Sequence, residues 1–129
     1  GRISIHGRIP AALQVSADRS QIVDVLQNLL TNALKFNRPG GKVLIKAHAA
    51  ENEAVIVVQD TGVGISEKDL PHLFERFYRG RNSKTRQGAG LGLSIAQQII
   101  AAHGGEICAD SRKGEGASFH FTLPLWKAR

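Results

Sequence analysis

Residues 18–36 constrain this chain more than any other stretch. Ile22, Val25, Leu26, Leu29, Leu30, Ala33 and Leu34 recur at i, i+3, i+4, i+7 spacing, the rhythm of a helix with one buried face. Asp18, with Gln21 three residues later, resembles a capping box and marks the start. At about 100° per residue, Asn28, Asn32 and Lys35 share one stripe away from the apolar arc. Asparagine is a poor helix former because its amide competes for backbone hydrogen bonds. Two of them one turn apart in mid-helix imply a use for their side chains. Taken alone, the helix fits a solvated polar face better.

Around this helix the chain reads as strands and a second long helix. Gly1 resembles a cut site. Residues 2–8 alternate (Ile3, Ile5) as a strand, and residues 13–16 form a second short one. After the breaker Arg38-Pro39-Gly40-Gly41, residues 42–50 alternate as a half-buried strand. Residues 54–59, apolar through Val58, suit a central strand, making 42–59 a hairpin. Ser66 caps a short helix running toward Phe77. Residues 78–89 are basic and small and read as a mobile loop. Residues 90–103 form the second long helix, with Leu91, Ile95, Ile99 and Ala102 on one face and Gly104-Gly105 ending it. Residues 106–110 and 117–123 are strands joined by the Lys113-Gly114-Glu115-Gly116 turn. Strands mixed with two long helices imply a two-layer α/β (α+β) sandwich rather than regular βαβ winding.

The 129 residues suffice for one domain with its own core. One cysteine excludes an internal disulfide and a cysteine zinc cage, and Cys108, in an apolar run, is expected to be buried. The five histidines show no metal spacing and no nucleophile order; His103 sits at a helix C-terminus, where the dipole favours a cation. There is no bilayer-length apolar run and no signal peptide, so the chain reads as cytoplasmic. The net charge of +6 raises nucleic acid as a partner. Part of that excess, however, is Arg76, Arg79, Arg81, Lys84 and Arg86 beside glycines, a patch that suits a triphosphate as well as a DNA backbone.

Three motifs carry chemistry. Asp60-Thr61-Gly62-Val63-Gly64 puts a carboxylate at the end of a buried strand, beside backbone that a ligand can approach closely. Such a carboxylate accepts a hydrogen bond from an amine, for example the exocyclic group of adenine; an ordinary turn is the plainer alternative. An aspartic protease would need a second Asp-Thr-Gly from a partner and an all-β frame. Gly88-Ala89-Gly90-Leu91-Gly92-Leu93 leads into a helix, so its amides and the helix dipole face any phosphate there. No Gly-Lys-[Ser/Thr] follows, which excludes a P-loop; a flexible hinge is the alternative. The amides of Asn28 and Asn32 are hard, neutral ligands suited to Mg²⁺, with Lys35 placed for a phosphate and Phe36 for a base or the core.

In order and spacing these motifs resemble sensor histidine kinases. Residues 28–36 look like the N box, 60–64 the G1 box, Leu73-Phe74-Glu75-Arg76-Phe77-Tyr78-Arg79 the F box, and 88–93 the G2 box. Residues 102–107 and 114–119 resemble the family's ending. The chain is therefore read as a single catalytic and ATP-binding domain, residues 1–129, of a two-component histidine kinase. Its wider superfamily is shared with gyrase, Hsp90 and MutL.

The resemblance implies a Bergerat-type fold: a mixed β-sheet backed by helices, with ATP under a mobile lid at 78–90. It implies that Asp60 binds the adenine amino group, with Gly62, Gly64, Ile65 and Phe77 shaping the pocket. Asn32, helped by Asn28, would hold Mg²⁺. Lys35 and Arg79 would meet phosphates, and Phe36 would lie by the base. Gly88, Ala89, Gly90, Leu91, Gly92 and Leu93 would close over the phosphates. Relatives that hydrolyse ATP resemble one another in a Glu where this chain has Asn28, and Asn cannot act as a general base. The implied partners are ATP, the phosphoacceptor-histidine dimerisation domain of the same kinase and a response regulator. Neither nucleic acid nor membrane contact is expected of this domain. The acceptor segment is absent, so a fragment unable to phosphorylate itself is expected. An ATP-dependent switch of the same fold and a basic nucleic-acid module are the alternatives.

Overall fold

In the computed structural model, residues 4–8, 15–35, 37–65, 67–75, 92–112 and 115–125 are described. They form β1 (Ser4–Arg8), α1 (Arg19–Lys35), β2 (Lys42–Ala50), β3 (Glu53–Asp60), a 3₁₀ turn (Leu70–His72), α2 (Gly92–Ala102), β4 (Ile107–Arg112) and β5 (Gly116–Pro124). The five strands make one sheet in the order β1-β2-β3-β5-β4. β1 lies parallel to β2, and every other pairing is antiparallel. The sheet is mixed, with the apolar run of β3 at its centre.

Strand alternation sets the layers. Ala117, Phe119, Phe121 and Leu123 of β5 are buried, and the register sets Phe119, Phe121 and Leu123 beside Val58, Ile56 and Ala54 of β3. Val25, Leu29 and Ala33 of α1 and Ala96 and Ile100 of α2 cover that face and complete the core. The other face carries His48, Gln59, Cys108, Asp110 and His120, so this is a two-layer α/β sandwich with its helices on one side. Asp60 belongs to the inward-facing series of β3, which puts its carboxylate at the end of the core rather than in solvent.

Helix ends follow their local chemistry. Asp18 Oδ1 accepts the Gln21 amide at 3.2 Å and the Ser20 hydroxyl at 2.8 Å, an N-cap as the sequence implied. At the end of α2, Gly104 has φ +80°, its amide reaches Ala101 O, and the Gly105 amide reaches Ile100 O. That pair of bonds is a Schellman stop.

Five expectations change. The helix expected from 66 toward 77 is no α-helix over its described residues, 67–75; there is only the 3₁₀ turn, with His72 N bonding Asp69 O at 2.9 Å. In a helix capped at 66, Pro71 would fall beyond the first turn, where it has no amide to bond the carbonyl four residues back, so only the tighter turn forms. Cys108 is exposed, because Ile107 takes the inward position and its neighbour must point out. The buried face of α2 is Ser94, Ala96 and Ile100, whereas Ile95 is 43% exposed. Leu34 is also largely exposed, at the rim of α1's apolar arc. The strand expected at 13–16 amounts to a single bridge from Val15 to Leu125, with 13 and 14 outside the described residues.

Phe121 is fully buried in an interior strand. Phe121→Ala is expected to cost about 3–5 kcal/mol, read as a lower urea midpoint with an unchanged m-value.

Candidate functional site

Asp60 is 9% exposed. Its Oδ1 accepts two backbone amides, Gly62 N–H at 2.8 Å and Ala117 N–H at 3.2 Å. Among the described residues Oδ2 has no hydrogen-bond partner. Burial pushes the carboxyl above its ordinary 3.8, and the Gly62 and Ala117 amides pull it partly back. The β3–β5 pairing stops at Gln59↔Ser118, so the next amide on β5, that of Ala117, turns to the carboxylate instead of the ladder. Gly116 makes this approach possible: its φ is +103°, and a Cβ there would overlap the Asp60 carbonyl oxygen.

The segment after Asp60 is held from two sides. Arg38 Nη2 donates to Gly62 O at 2.9 Å, Gly64 turns the chain with φ +76°, and the Ile65 amide donates to Ser111 Oγ at 2.6 Å. The turn after α1 is pinned to the same region. Asn37 Nδ2 donates to Lys42 O at 3.0 Å, its Oδ1 accepts the Arg38 amide at 2.9 Å, and Lys42 N–H donates to Thr61 Oγ1 at 2.9 Å. Below the loop, Phe74 meets Phe119 edge to face at 6.4 Å, so this aromatic of the 73–79 motif belongs to the packing.

On α1, Asn28 Nδ2 donates to Gly92 O at 3.2 Å, which ties mid-α1 to the first turn of α2. Asn28 Oδ1 keeps its acceptor capacity, and Asn32, half-buried one turn on, has no hydrogen-bond partner among the described residues. A Cβ on Gly92 would make only ordinary contact with the Asn28 amide. At the far end, His103 Nε2 accepts the Asp18 amide at 3.0 Å and Nδ1 faces Ile99 O at 2.8 Å. An amide can only donate and a carbonyl only accept, so Nε2 acts as the acceptor and Nδ1 as the donor in these contacts. The helices thus run antiparallel and are tied at two points.

The structure places Asn28, Asn32, Asp60, Gly62, Gly64, Ile65, Gly92 and Leu93, and it brings Asn28 against Gly92 and Asp60 against Gly62. Lys35 ends α1, but its side chain lies outside the described residues. Phe36, Phe77, Arg79, Gly88, Ala89, Gly90, Leu91 and the expected lid at 78–90 also lie outside them. Sequence reasoning missed Arg38, Ser111 and Ala117. Only the breaker Arg38-Pro39-Gly40-Gly41 gave a signal, and Ala117 acts through its backbone. No cluster of three His, Cys, Asp or Glu among the described residues is placed to hold a metal, so the amides remain the metal-ligand candidates.

A family profile described as histidine kinase-, DNA gyrase B- and HSP90-like ATPase matches residues 17–127. The chain belongs to this family. It is 45% identical over 116 residues to the sensor histidine kinase WalK of Bacillus subtilis (strain 168), covering 87% of this chain and 19% of WalK. It therefore spans about a fifth of the length of that curated relative. The mycobacterial sensor histidine kinase MprB superposes with a TM-score of 0.87 at 30% identity, covering 98% of this chain and 86% of that one. Full-length ShkA in complex with AMPPNP superposes with a TM-score of 0.84 at 32% identity, covering 98% of this chain and 26% of that one. The two-layer sandwich is thus the fold of histidine kinase catalytic domains. No described helix is long and apolar enough to cross a membrane.

The raised pKa of Asp60 has a sign that can be tested. Because its folded value lies above its unfolded 3.8, its contribution to stability is present below that pH and is lost as pH rises through the folded value. Asp60→Asn keeps an acceptor for both amides and carries no charge. Its Tm near pH 7 should equal or exceed the wild type's, with the gap closing toward about pH 3. A variant clearly less stable near pH 7 would show that the carboxylate's amide bonds outweigh its desolvation.

Proposed function

We propose that this chain binds Mg-ATP and, joined to a phosphoacceptor-histidine dimerisation domain, donates the γ-phosphate to that histidine for relay to a response regulator. The observation that carries the nucleotide part is Asp60: a buried carboxylate with one oxygen held by two amides and the other unpaired among the described residues. A buried acceptor of this kind is completed by a ligand donor, and the adenine amino group is one. Membership of the ATPase family and the AMPPNP complex of ShkA support the choice of nucleotide. The sensor histidine kinase names of the relatives support the acceptor.

The residues present fit a magnesium ion. Asn32 and the Oδ1 of Asn28 supply neutral oxygens, and phosphate oxygens and water would complete the shell. When bound, the ion neutralises charge on the phosphates. Asn28 holds α2 through its Nδ2 and carries no basic group, so nothing at that position activates water. Lys35 and Arg79 are assigned to phosphates, Phe36, Phe77, Gly62, Gly64 and Ile65 to the base, and residues 88–93 to closure over the triphosphate.

Calorimetric titration of ATP into the chain, with and without Mg²⁺, tests the site. Saturable micromolar binding is expected. Asp60→Asn should weaken it roughly ten- to hundredfold, the worth of about 1.5–3 kcal/mol for a hydrogen bond to a charged group. Binding indifferent to Asp60→Asn would move adenine elsewhere. Without an acceptor, phosphate release from Mg-ATP should stay far below about 1 s⁻¹, the low end of kinase turnover. Turnover at that rate would mean that a base elsewhere in the chain activates water and would favour an ATPase switch.

A further inference from the structure

We propose that Ser111 is a positioning residue for adenine, a role that rests on the nucleotide reading above. Its hydroxyl accepts the Ile65 amide at 2.6 Å and donates its one proton to the Gly116 carbonyl at 2.9 Å, so it bridges the two backbone groups. Those two partners are the ends of the adenine-side machinery. Ile65 closes the segment that follows Asp60, and Gly116 precedes Ala117, whose amide fixes Asp60 Oδ1. The Ile65 amide has no other acceptor among the described residues, and Gly64, with its positive φ, keeps the segment out of regular pairing. One side chain on β4 therefore sets the distance between the pocket's loop and the strand that aims its carboxylate. Ser111→Ala would leave the Ile65 amide without an acceptor among the described residues and let the segment sample other positions, which nucleotide binding would then have to reorder. The triphosphate end, held from α1 and the start of α2, is untouched by this contact.

The test titrates ADP, and ATP with and without Mg²⁺, into the 129-residue chain and its Ser111→Ala and Ser111→Thr variants. Ser111→Ala should weaken ADP and ATP by the same factor, roughly tenfold, and leave the Mg²⁺-dependent gain unchanged. Ser111→Thr, which keeps the hydroxyl, should restore affinity to within about threefold. Affinity within about twofold of wild type in Ser111→Ala would overturn the proposal. So would a loss confined to the Mg²⁺-dependent gain, or a loss shared by Ser111→Thr, which would assign the effect to strand packing. If Ser111→Ala fails to fold, Ser111→Cys, of similar size with a poorer donor and acceptor, reads the same contact. Wild-type binding that responds to Asp60→Asn but not to Ser111→Ala sinks Ser111 alone. A wild type that binds no nucleotide sinks the site reading itself.

Discussion

The carboxylate of Asp60 is the constraint around which the sheet's end is built. A buried negative charge is costly unless it is hydrogen-bonded. Here the bonds come from two places far apart in sequence, the segment after β3 and the start of β5. Both must be held in position, and each holding contact has its own requirement. Gly116 must lack a side chain, Gly64 must turn with a positive φ, and Arg38 must reach across from the turn after α1. The result is a local conflict with stability: burial works against the charge while two amides hold it.

The helices supply the other half of the frame. The Asn28–Gly92 and Asp18–His103 contacts tie two antiparallel helices near their opposite ends, and the core residues Leu29 and Ile100 fill the space beneath. Asn28 therefore serves structure with its nitrogen while its oxygen stays available. That division explains how a poor helix former persists in the middle of a helix: its amide is satisfied by the neighbouring helix rather than by competing with its own backbone.

Most of the fold was legible from periodicity and punctuation. The phase of α1, the hairpin of β2 and β3, the central place of β3 and the glycine stop of α2 all follow from residue patterns. The errors are equally physical. α2 is apolar nearly all round, so large side chains gave no phase, and the buried positions went to the small Ala96 and Ser94, which let the helix approach closely. The inward phase of β4 depends on its pairing with β5, which a short apolar run does not encode, and Cys108 was misplaced for that reason. In the site, Asp60 and Asn28 were readable because a charge at a strand end and an Asn in a helix break local expectation. Ser111 was not: a serine in a strand is ordinary, and only the tertiary fold brings it to Ile65.

The outward phase of β4 has one more effect. The chain's single thiol, Cys108, stands on the side of the sheet that neither described helix covers, directly across from His120 on β5, with the sheet between it and those helices. Asn28, Asn32 and the inward-facing Asp60 are all on the other side. The chain thus carries one chemically distinct handle on the face opposite its two described helices. A spin label or fluorophore coupled there would watch the helix layer from behind without standing in its way.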